Sequence, residues 1–283
     1  MDIEKLKLYF SNELGWGWGY EAQLVFNFLV NVAEKGAGGI VLDAGAGHQR
    51  YKPFFEKSIY IAQEHPQSGI ENKGIVNFDI LCDVKEIPLE NDSVDCVLST
   101  SSLEHMEFPE LFFPEAFRVL KPGGKLFIQV PFIHGEHEIP FDFQRPTRYG
   151  LKRWFTLAGF ENINVKPSSS SFISIVMMIH IAVFEQYPGV KKILRGGGLR
   201  AAKLSLIIAL YFIVIKPFSK LMLMVFDGFP DQNLTTFPIG WFSAGEKPGV
   251  LQKIPLPEKN IFLQEKILKN AGFAYSDSAI KKI

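Results

Sequence analysis

The chain has 283 residues, and its 30 Lys or Arg balance its 30 Asp or Glu, so the formal net charge at pH 7 is zero. This balance argues against a nucleic-acid-binding protein, and aromatic and basic residues are not interleaved as on a single-strand binding surface. The length exceeds the ~100–200 residues of one typical domain and allows a sizeable core with added elements.

Features of the sequence predict a cytoplasmic location. The two cysteines, Cys82 and Cys96, fall at the edge of one predicted strand and inside another. Buried reduced thiols are favoured there over a disulfide or a metal site. The first residues lack the cationic and apolar pattern of a secretory signal, and this agrees with a reducing cytoplasm.

Residues 1–37 are predicted to be helical. Trp16, Trp18 and Tyr20 alternate with glycines in this segment and precede an apolar helix from Glu21 to Ala33. We expect a lid packed near a cofactor. The alternative is that the aromatic side chains cover the edge of a sheet.

The most informative motif is V-L-D-A-G-A-G at 41–47. Its apolar start can form a buried parallel strand, and Gly45 and Gly47 let the backbone approach a ligand closely. Free N–H groups at such a turn suit a nucleotide-type cofactor. The Asp43 carboxylate would repel a pyrophosphate but suits a cationic or amino-bearing ligand. Because Arg50 replaces the third glycine of the dinucleotide fingerprint, NAD is disfavoured.

Further predicted elements follow in the order of an α/β fold. A second strand from Ser58 to Gln63 ends on Glu64, about twenty residues after the glycine turn, where an acid can bond ribose hydroxyls. Then come Cys82-Asp83-Val84 before Ile87-Pro88-Leu89, a strand from Val94 to Ser99, Leu103-Glu104-His105, a helix from Pro109 to Leu120, a turn from Lys121 to Gly124, and a strand from Lys125 to Val130.

These motifs and their order resemble those of class I S-adenosylmethionine-dependent methyltransferases. The matching residues are V-L-D-A-G-A-G at 41–47, Glu64, C-D-V and I-P-L within 82–89, D-C-V-L-S-T-S-S-L-E-H at 95–105, and L-K-P-G-G-K-L at 120–126. The resemblance covers roughly residues 38–167. It implies a Rossmann-like three-layer α/β sandwich with a mostly parallel seven-stranded sheet whose last strand is antiparallel.

The resemblance also implies an S-adenosyl-L-methionine site. Asp43 and the two glycines would hold the methionine part, Glu64 the ribose, and Asp83 with the Val84 backbone the adenine. The cofactor-binding candidates are therefore Asp43, Gly45, Gly47, Glu64, Asp83, Val84 and Ser99. One departure from the family pattern is Gln49, which stands at the last glycine position of G-x-G-x-G and is expected to strain the turn.

Histidines are the candidate catalytic residues. Methyl transfer from a sulfonium depends mainly on alignment of donor and acceptor, and it requires no metal or covalent intermediate. An alcohol acceptor gains from a general base, and histidine titrates near neutrality. The histidines that follow the fourth and fifth strands are His105, His134 and His137.

The loop at 131–149 leaves the carboxyl end of the fifth strand and is predicted to bind the acceptor. Its stretch H-E-x-P-x-D-x-x-R-x-T at 137–147, followed by G-L at 150–151 and A-G-F at 158–160, is similar to a subgroup of bacterial methyltransferases associated with surface polysaccharide and lipopolysaccharide synthesis. The substrate-binding candidates are Asp142, Arg145 and Tyr149.

Several roles in this loop stay open. Asp142 and Arg145 either form an ion pair that fixes the loop or bind sugar hydroxyls and phosphate directly. His137 and Glu138 act in catalysis or belong to a hydrogen-bond network that shapes the pocket. The H-G-E-H-E cluster at 134–138 lacks the H-E-x-x-H spacing of a helical zinc site, so no metal is expected.

An apolar and basic insertion at 168–238 separates a sixth strand, Asn162 to Pro167, from a seventh, Ile239 to Gly245. Two of its apolar runs, 172–184 and 204–215, are shorter than the ~20 residues of a spanning helix. Between 186 and 226 the sequence has Lys or Arg at seven positions (191, 192, 195, 200, 203, 216 and 220) and no Asp or Glu. This pattern, within 172–226, suits an anionic membrane surface. Alternatively, the helices bury each other or form a homodimer interface.

Three functions are compatible with these observations. The favoured one is an S-adenosylmethionine-dependent methyltransferase that acts on an oxygen of a sugar or lipid-linked glycan, in the cytoplasm or at the inner face of the membrane. The second is a cofactor-binding or membrane-organising protein that keeps the fold without the chemistry. The third and least favoured is a nicotinamide oxidoreductase. Residues 239–248 are predicted to form the closing strand of the core. No function is assigned to the tail at 249–283.

Overall fold

The computed structural model describes residues 6, 19–35, 38–68, 77–171, 174–175, 178, 198–210, 213–214, 217–218 and 237–249. The chain divides into two compact units, Met1–Pro248 and Gly249–Ile283. The sheet and all of the described helices belong to the first unit. The predicted tail lies outside the described residues, apart from Gly249.

The first unit is built on a seven-stranded sheet. Its strands are β1 Ile40–Ala44, β2 Ile59–Glu64, β3 Ile80–Leu81, β4 Val94–Thr100, β5 Leu120–Pro131, β6 Glu161–Pro167 and β7 Gly240–Glu246. The strand order is β3-β2-β1-β4-β5-β7-β6. The first five strands pair in parallel, and β7 is antiparallel to both β5 and β6. This arrangement confirms the predicted Rossmann-like α/β sandwich with a mostly parallel sheet.

Helices cover both faces of the sheet because its central strands are apolar on both sides. Helix α1 (Gly19–Lys35) packs on one face through Phe26, Leu29 and Val32, against Val41 and its neighbours. The helices α2 (Pro109–Val119) and α3 (Arg148–Leu157) contribute buried side chains to the core of the other face, which contains Leu42. Helix α4 (Gly198–Leu210) lies in the insertion.

Apart from Leu6, which is buried, helix α1 is the described part of the predicted N-terminal lid. The Phe28 ring stacks on the Phe242 ring of β7 with centroids 4.6 Å apart, so α1 covers the sheet. Trp16 and Trp18 lie outside the described residues. The lid therefore stays a prediction.

The strand β5 is longer than the sequence predicts. It begins at Leu120, which pairs with Val94 of β4, so the predicted turn at 121–124 lies inside an irregular strand. A register shift between Val94 and Cys96 accommodates this segment. Gly123 adopts a φ of +81° there, a conformation that favours glycine.

The insertion is described only in part. Most of the predicted apolar run 172–184 lies outside the described residues. Within the described part of the chain, no helix combines the length and the apolar character needed to cross a bilayer. Leu206, Leu210 and Ile213 are all exposed.

Parallel pairing brings the loops that follow β1, β2, β4 and β5 to one edge of the sheet. Ligands of open α/β sheets bind at this carboxyl edge. Most of the predicted site residues lie on these four loops or on the strands that lead into them. Asp83 and Val84 lie on the loop after β3, which pairs in parallel with β2, and Tyr149 lies on α3.

Candidate active site

The glycine turn after β1 packs closely against the loop after β4. Gly45 has a φ of +81°, and a Cβ atom built on it would lie 2.0 Å from Ser102 Oγ and 2.6 Å from Ser102 Cβ. Its N–H donates to both the backbone and side-chain oxygens of Gln63, at 3.1 Å each. Only glycine fits this position, which sets the turn between the ends of β2 and β4.

Gln49 stands at the last glycine position of G-x-G-x-G, and its backbone shows the strain that the sequence predicts there. Its φ is +52°, which is uncommon for a residue with a side chain and costs roughly 1–3 kcal/mol. The Gln49 side-chain amide donates to the Asn77 carbonyl at 2.6 Å. This bond helps to hold the turn in its left-handed conformation.

Glu64 closes the glycine turn from the end of β2. Its carboxylate is buried and accepts hydrogen bonds from Gly47 N at 2.7 Å and from His65 N at 2.9 Å. The predicted acid is thus at the turn where the ribose is expected. Its direct contact with a ribose stays a prediction.

The other predicted cofactor-binding residues, Asp83, Val84 and Ser99, differ in burial and in hydrogen bonding. Asp83 accepts a hydrogen bond from Lys85 N at 3.1 Å and pairs with Lys85 Nζ at 2.9 Å. Partial burial opposes ionisation, but the bonds from Lys85 hold the pKa of Asp83 below its usual value. Val84 packs at the margin of the core. Ser99 is fully buried, and in the part of the chain that the structure describes its Oγ has no hydrogen-bond partner.

Asp43 lies buried under the glycine turn, with 1% of its surface exposed. The Tyr60 hydroxyl donates to Asp43 Oδ2, while Oδ1 has no hydrogen-bond partner among the described residues. Burial raises the pKa of Asp43 to about 7; the Tyr60 bond opposes this rise and the charge of Glu64 adds to it. The unpartnered Oδ1 fits an amino-bearing ligand at this edge, and the predicted contact with the methionine part stays a prediction.

Three ionisable side chains meet where the loops after β4 and β5 touch. Glu104 and His105 lie on a 3₁₀ turn, Leu103–His105, and His137 lies on the loop after β5. Glu104 Oε1 is 3.9 Å from His105 Nε2 and 3.8 Å from His137 Nε2. The two imidazole centroids are 4.8 Å apart. We call Glu104, His105 and His137 the acid–histidine cluster.

Hydrogen bonds fasten the two loops together. Those between residues 141–144 and residues 103–106 are Phe143 N to Glu104 O at 2.9 Å, Gln144 Nε2 to Leu103 O and to Met106 O at 3.0 Å each, and His105 Nδ1 to Phe141 O at 2.6 Å. Further along, the Trp241 indole donates to Pro146 O at 3.0 Å. The cluster therefore rests on fixed backbone.

Asp142 and Arg145 form an ion pair inside the loop. The guanidinium donates to both carboxylate oxygens, at 2.6 and 2.8 Å, and holds the pKa of Asp142 well below its usual range. Asp142 Oδ2 also accepts from His137 N at 3.0 Å and lies 3.4 Å from His137 Nδ1. This geometry agrees with the alternative in which the ion pair fixes the loop. The bonds of Asp142 also orient His137. Direct substrate contacts of the pair stay a prediction.

The remaining predicted site residues lie around this cluster. The His134 ring is 4.6 Å from the His137 ring, and its Nδ1 lies 2.9 Å from Gly135 O. Tyr149 is exposed on α3. Sequence reasoning assigned no role to Glu104; its position directly after a strand and beside His105 was the signal that could have found it.

A family model described as "Methyltransferase domain" matches residues 42–128. This segment contains the glycine turn, the end of β2 and the 3₁₀ turn with Glu104 and His105. Residues 42–128 are therefore a methyltransferase domain of the S-adenosylmethionine-dependent type.

Relatives of this methyltransferase domain differ in what they act on. The malonyl-[acyl-carrier protein] O-methyltransferase of Hahella chejuensis is 28% identical over 107 residues, which are 35% of this chain and 38% of that protein. The ubiquinone/menaquinone biosynthesis C-methyltransferase UbiE of Cupriavidus taiwanensis is 40% identical over 57 residues, which are 20% of this chain and 24% of that protein. The chain thus spans well under half the length of these curated relatives.

Among solved structures, phosphoethanolamine N-methyltransferase 2 of Haemonchus contortus in complex with S-adenosyl-L-methionine is similar to the chain. Its TM-score is 0.47 at 19% identity, covering 87% of this chain and 56% of that one. The methyltransferase domain is recognised from the sequence match at 42–128 and from the strand order of this chain, without this structural similarity.

Proposed function

We propose that the protein transfers a methyl group from S-adenosyl-L-methionine to a hydroxyl oxygen of a sugar or a lipid-linked glycan. The observation that carries this proposal is the position of the acid–histidine cluster beside the glycine turn. Ser102, which a Cβ on Gly45 would strike, is only two residues before Glu104. A methyl donor on the turn and a hydroxyl at the cluster would then lie close together, as alignment-limited transfer requires.

The residues supply what an alcohol acceptor needs. Bound S-adenosyl-L-methionine would supply a sulfonium methyl group for the acceptor oxygen and would leave as S-adenosylhomocysteine. His105 donates its Nδ1–H to Phe141 O, so the neutral ring keeps a lone pair on Nε2 that can take the hydroxyl proton. Burial raises the pKa of Glu104 to about 8, and an imidazolium 3.9 Å from its Oε1 would favour its ionised form, so that the two charges stabilise each other. His137, held by Asp142, offers a second such nitrogen.

The surroundings of the cluster support a sugar with an apolar carrier. The loop after β5 presents Ile139, which is 72% exposed, and the half-exposed rings of Phe141 and Phe143. Exposed apolar side chains beside a polar site are typical of a surface that receives an amphipathic partner. The same loop carries the stretch that resembles methyltransferases of surface-polysaccharide synthesis.

Calorimetry followed by turnover assays tests the proposal. S-adenosyl-L-methionine and S-adenosylhomocysteine should bind and NAD should not. With lipid-linked sugars as acceptors, His105→Ala and His137→Ala should lower turnover by roughly 10²–10⁴-fold while cofactor affinity stays unchanged. Adenosyl binding without turnover on any hydroxyl acceptor would instead favour the non-catalytic cofactor-binding protein. Absence of adenosyl binding would overturn the cofactor proposal itself.

We further propose that the insertion attaches the protein to an anionic membrane surface at the cytoplasmic face. Its described part supports this, because Leu206, Leu210, Ile213 and Phe218 are exposed and Lys203 lies beside them in the chain. The protein should float with vesicles that contain anionic lipid and remain unbound with zwitterionic ones, and high salt should release it. Failure to float with anionic vesicles, together with a dimer in gel filtration, would assign these apolar residues to a homodimer interface.

A further inference from the structure

Glu104 is a buried acid on the turn after β4. Its side chain is 1% exposed, and neither carboxylate oxygen has a hydrogen bond within the described residues. A carboxylate in such a place is destabilising unless a cation or hydrogen-bond donors compensate it. Arg145 acts on Glu104 only at a distance, because its guanidinium bonds to Asp142. The fold therefore holds an acceptor atom ready for a positive ligand.

Two imidazole nitrogens point towards the same space. His105 Nε2 and His137 Nε2 lie 3.9 and 3.8 Å from Glu104 Oε1, which is too long for hydrogen bonds. The three ligand atoms lie within 4.8 Å of one another. Ligands on one ion with bonds of about 2.0–2.2 Å are separated by roughly 3–3.5 Å, so small side-chain movements would close the set.

The outer nitrogen of each ring is already engaged. His105 Nδ1 lies 2.6 Å from Phe141 O, and since a carbonyl only accepts, Nδ1 carries the proton and Nε2 the lone pair. His137 Nδ1 lies 3.2 Å from Gly135 O and 3.4 Å from Asp142 Oδ2, and these two acceptors favour the same tautomer over the longer 3.5 Å approach of the Arg145 Nη2 donor. Metal-bound histidines in proteins are held by outer carboxylates and carbonyls in this way.

We propose that Glu104, His105 and His137 bind a divalent transition metal ion, for which the two-imidazole and one-carboxylate donor set suits Zn²⁺. Asp142 acts as a positioning residue through His137. The exposed Glu138 carboxylate, 3.7 Å from His105 Nε2, is the nearest further donor. The spacing within 134–138 does not predict this site, because two of its three ligands come from the loop after β4.

The ion would have a role in the proposed methyl transfer, and that role alone rests on the proposed function. An acceptor hydroxyl that takes an open coordination position loses its proton more readily, so coordination would replace proton acceptance by an imidazole. The proton then leaves to solvent, and the alkoxide oxygen takes the methyl group. Binding of the ion itself does not depend on this reaction.

Metal titration of the purified full chain tests the site. After chelator treatment, the protein should bind one equivalent of Zn²⁺ by calorimetry, and Co²⁺ in its place should give visible absorption bands. Glu104→Gln and His137→Ala should each weaken Zn²⁺ binding at least about 100-fold. His65→Ala removes an exposed histidine outside the cluster and should leave the affinity unchanged. Circular dichroism checks that each variant is folded. If Glu104→Gln or His137→Ala is not folded, His105→Gln replaces it in the test.

The outcomes separate the metal site from the methyl-transfer proposal. Equal Zn²⁺ affinity in the wild type and the folded cluster variants, or no binding at all, would overturn the metal site whatever the turnover. Zn²⁺ binding that depends on the cluster supports it even if no acceptor is found. Where turnover is measurable, chelation should abolish it and Zn²⁺ should restore it; turnover that survives chelation overturns the role of the ion in catalysis.

Discussion

The Gly45→Ala substitution is expected to weaken S-adenosyl-L-methionine binding by at least about 100-fold, which corresponds to about 2.7 kcal/mol. The new Cβ would overlap Ser102 Oγ at 2.0 Å and Ser102 Cβ at 2.6 Å, so the turn and the loop after β4 must separate. This separation moves the backbone N–H groups that are predicted to face the cofactor. Calorimetric titration with S-adenosyl-L-methionine and S-adenosylhomocysteine measures the loss.

A matched glycine separates the overlap from backbone strain. Gly123 has the same φ of +81°, but a Cβ there meets no atom within 4 Å. Gly123→Ala should therefore cost roughly 1–3 kcal/mol of unfolding free energy, as left-handed backbone does, and leave the cofactor affinity unchanged.

A second substitution tests the cause of the loss at Gly45. Ser102→Gly removes both overlapping atoms, so the double variant Gly45→Ala/Ser102→Gly should recover much of the cofactor affinity. If Gly45→Ala binds the cofactor as well as Gly123→Ala does, the glycine turn is not the cofactor site.

The cofactor edge was predictable because its signals are contiguous in sequence. An apolar run, an acid and two glycines specify a strand and a turn within seven residues, and parallel pairing then fixes where the end of β2 lies. The strain at Gln49 was predictable for the same reason, since only the missing glycine had to be noticed. The confirmed mostly parallel seven-stranded sheet is the fold that this alternation of strands and helices favours.

The acid–histidine cluster was only half predictable. His105 and His137 were named as candidates on separate loops, but their meeting around Glu104 depends on the bonds that dock residues 141–144 on the turn at 103–106. Such tertiary contacts leave no periodic pattern in the sequence. The ion pair of Asp142 with Arg145 was one of two alternatives for the same reason.

Asp43 shows a different limit of sequence reasoning. The sequence places it before the glycine turn as a ligand contact, but it does not show the hydroxyl that pairs with it. The parallel register sets Val41 beside Tyr60 and Asp43 beside Ala62, so Tyr60 lies diagonally next to Asp43 on one face of the sheet. The partner is thus a product of strand pairing, and it buries the carboxyl group.

Because Asp43 is buried, the free energy of unfolding should depend on pH. Asp43→Asn should remove this contribution to the pH dependence. The pKa of Asp43 rises from 3.8 to about 7 on folding, chiefly through burial. Between these values the folded state binds more protons than the unfolded state, so the free energy of unfolding falls as pH rises from about 4 to about 7. A shift of about three units corresponds to on the order of 4 kcal/mol.

Urea unfolding of wild type and Asp43→Asn at pH 5 and pH 8 measures this contribution. Relative to the wild type, the variant should gain stability as the pH rises. Asp95 is the control of opposite sign: its burial opposes ionisation, but bonds from Ile40 N and Lys121 hold its pKa below the usual value. Asp95→Asn should therefore lose stability relative to wild type at pH 8, and this loss should shrink only as acid protonates the wild-type carboxylate. If Asp43→Asn keeps the wild-type pH dependence, the buried carboxyl of Asp43 is ionised in the folded protein, with a compensating donor that binds its second oxygen.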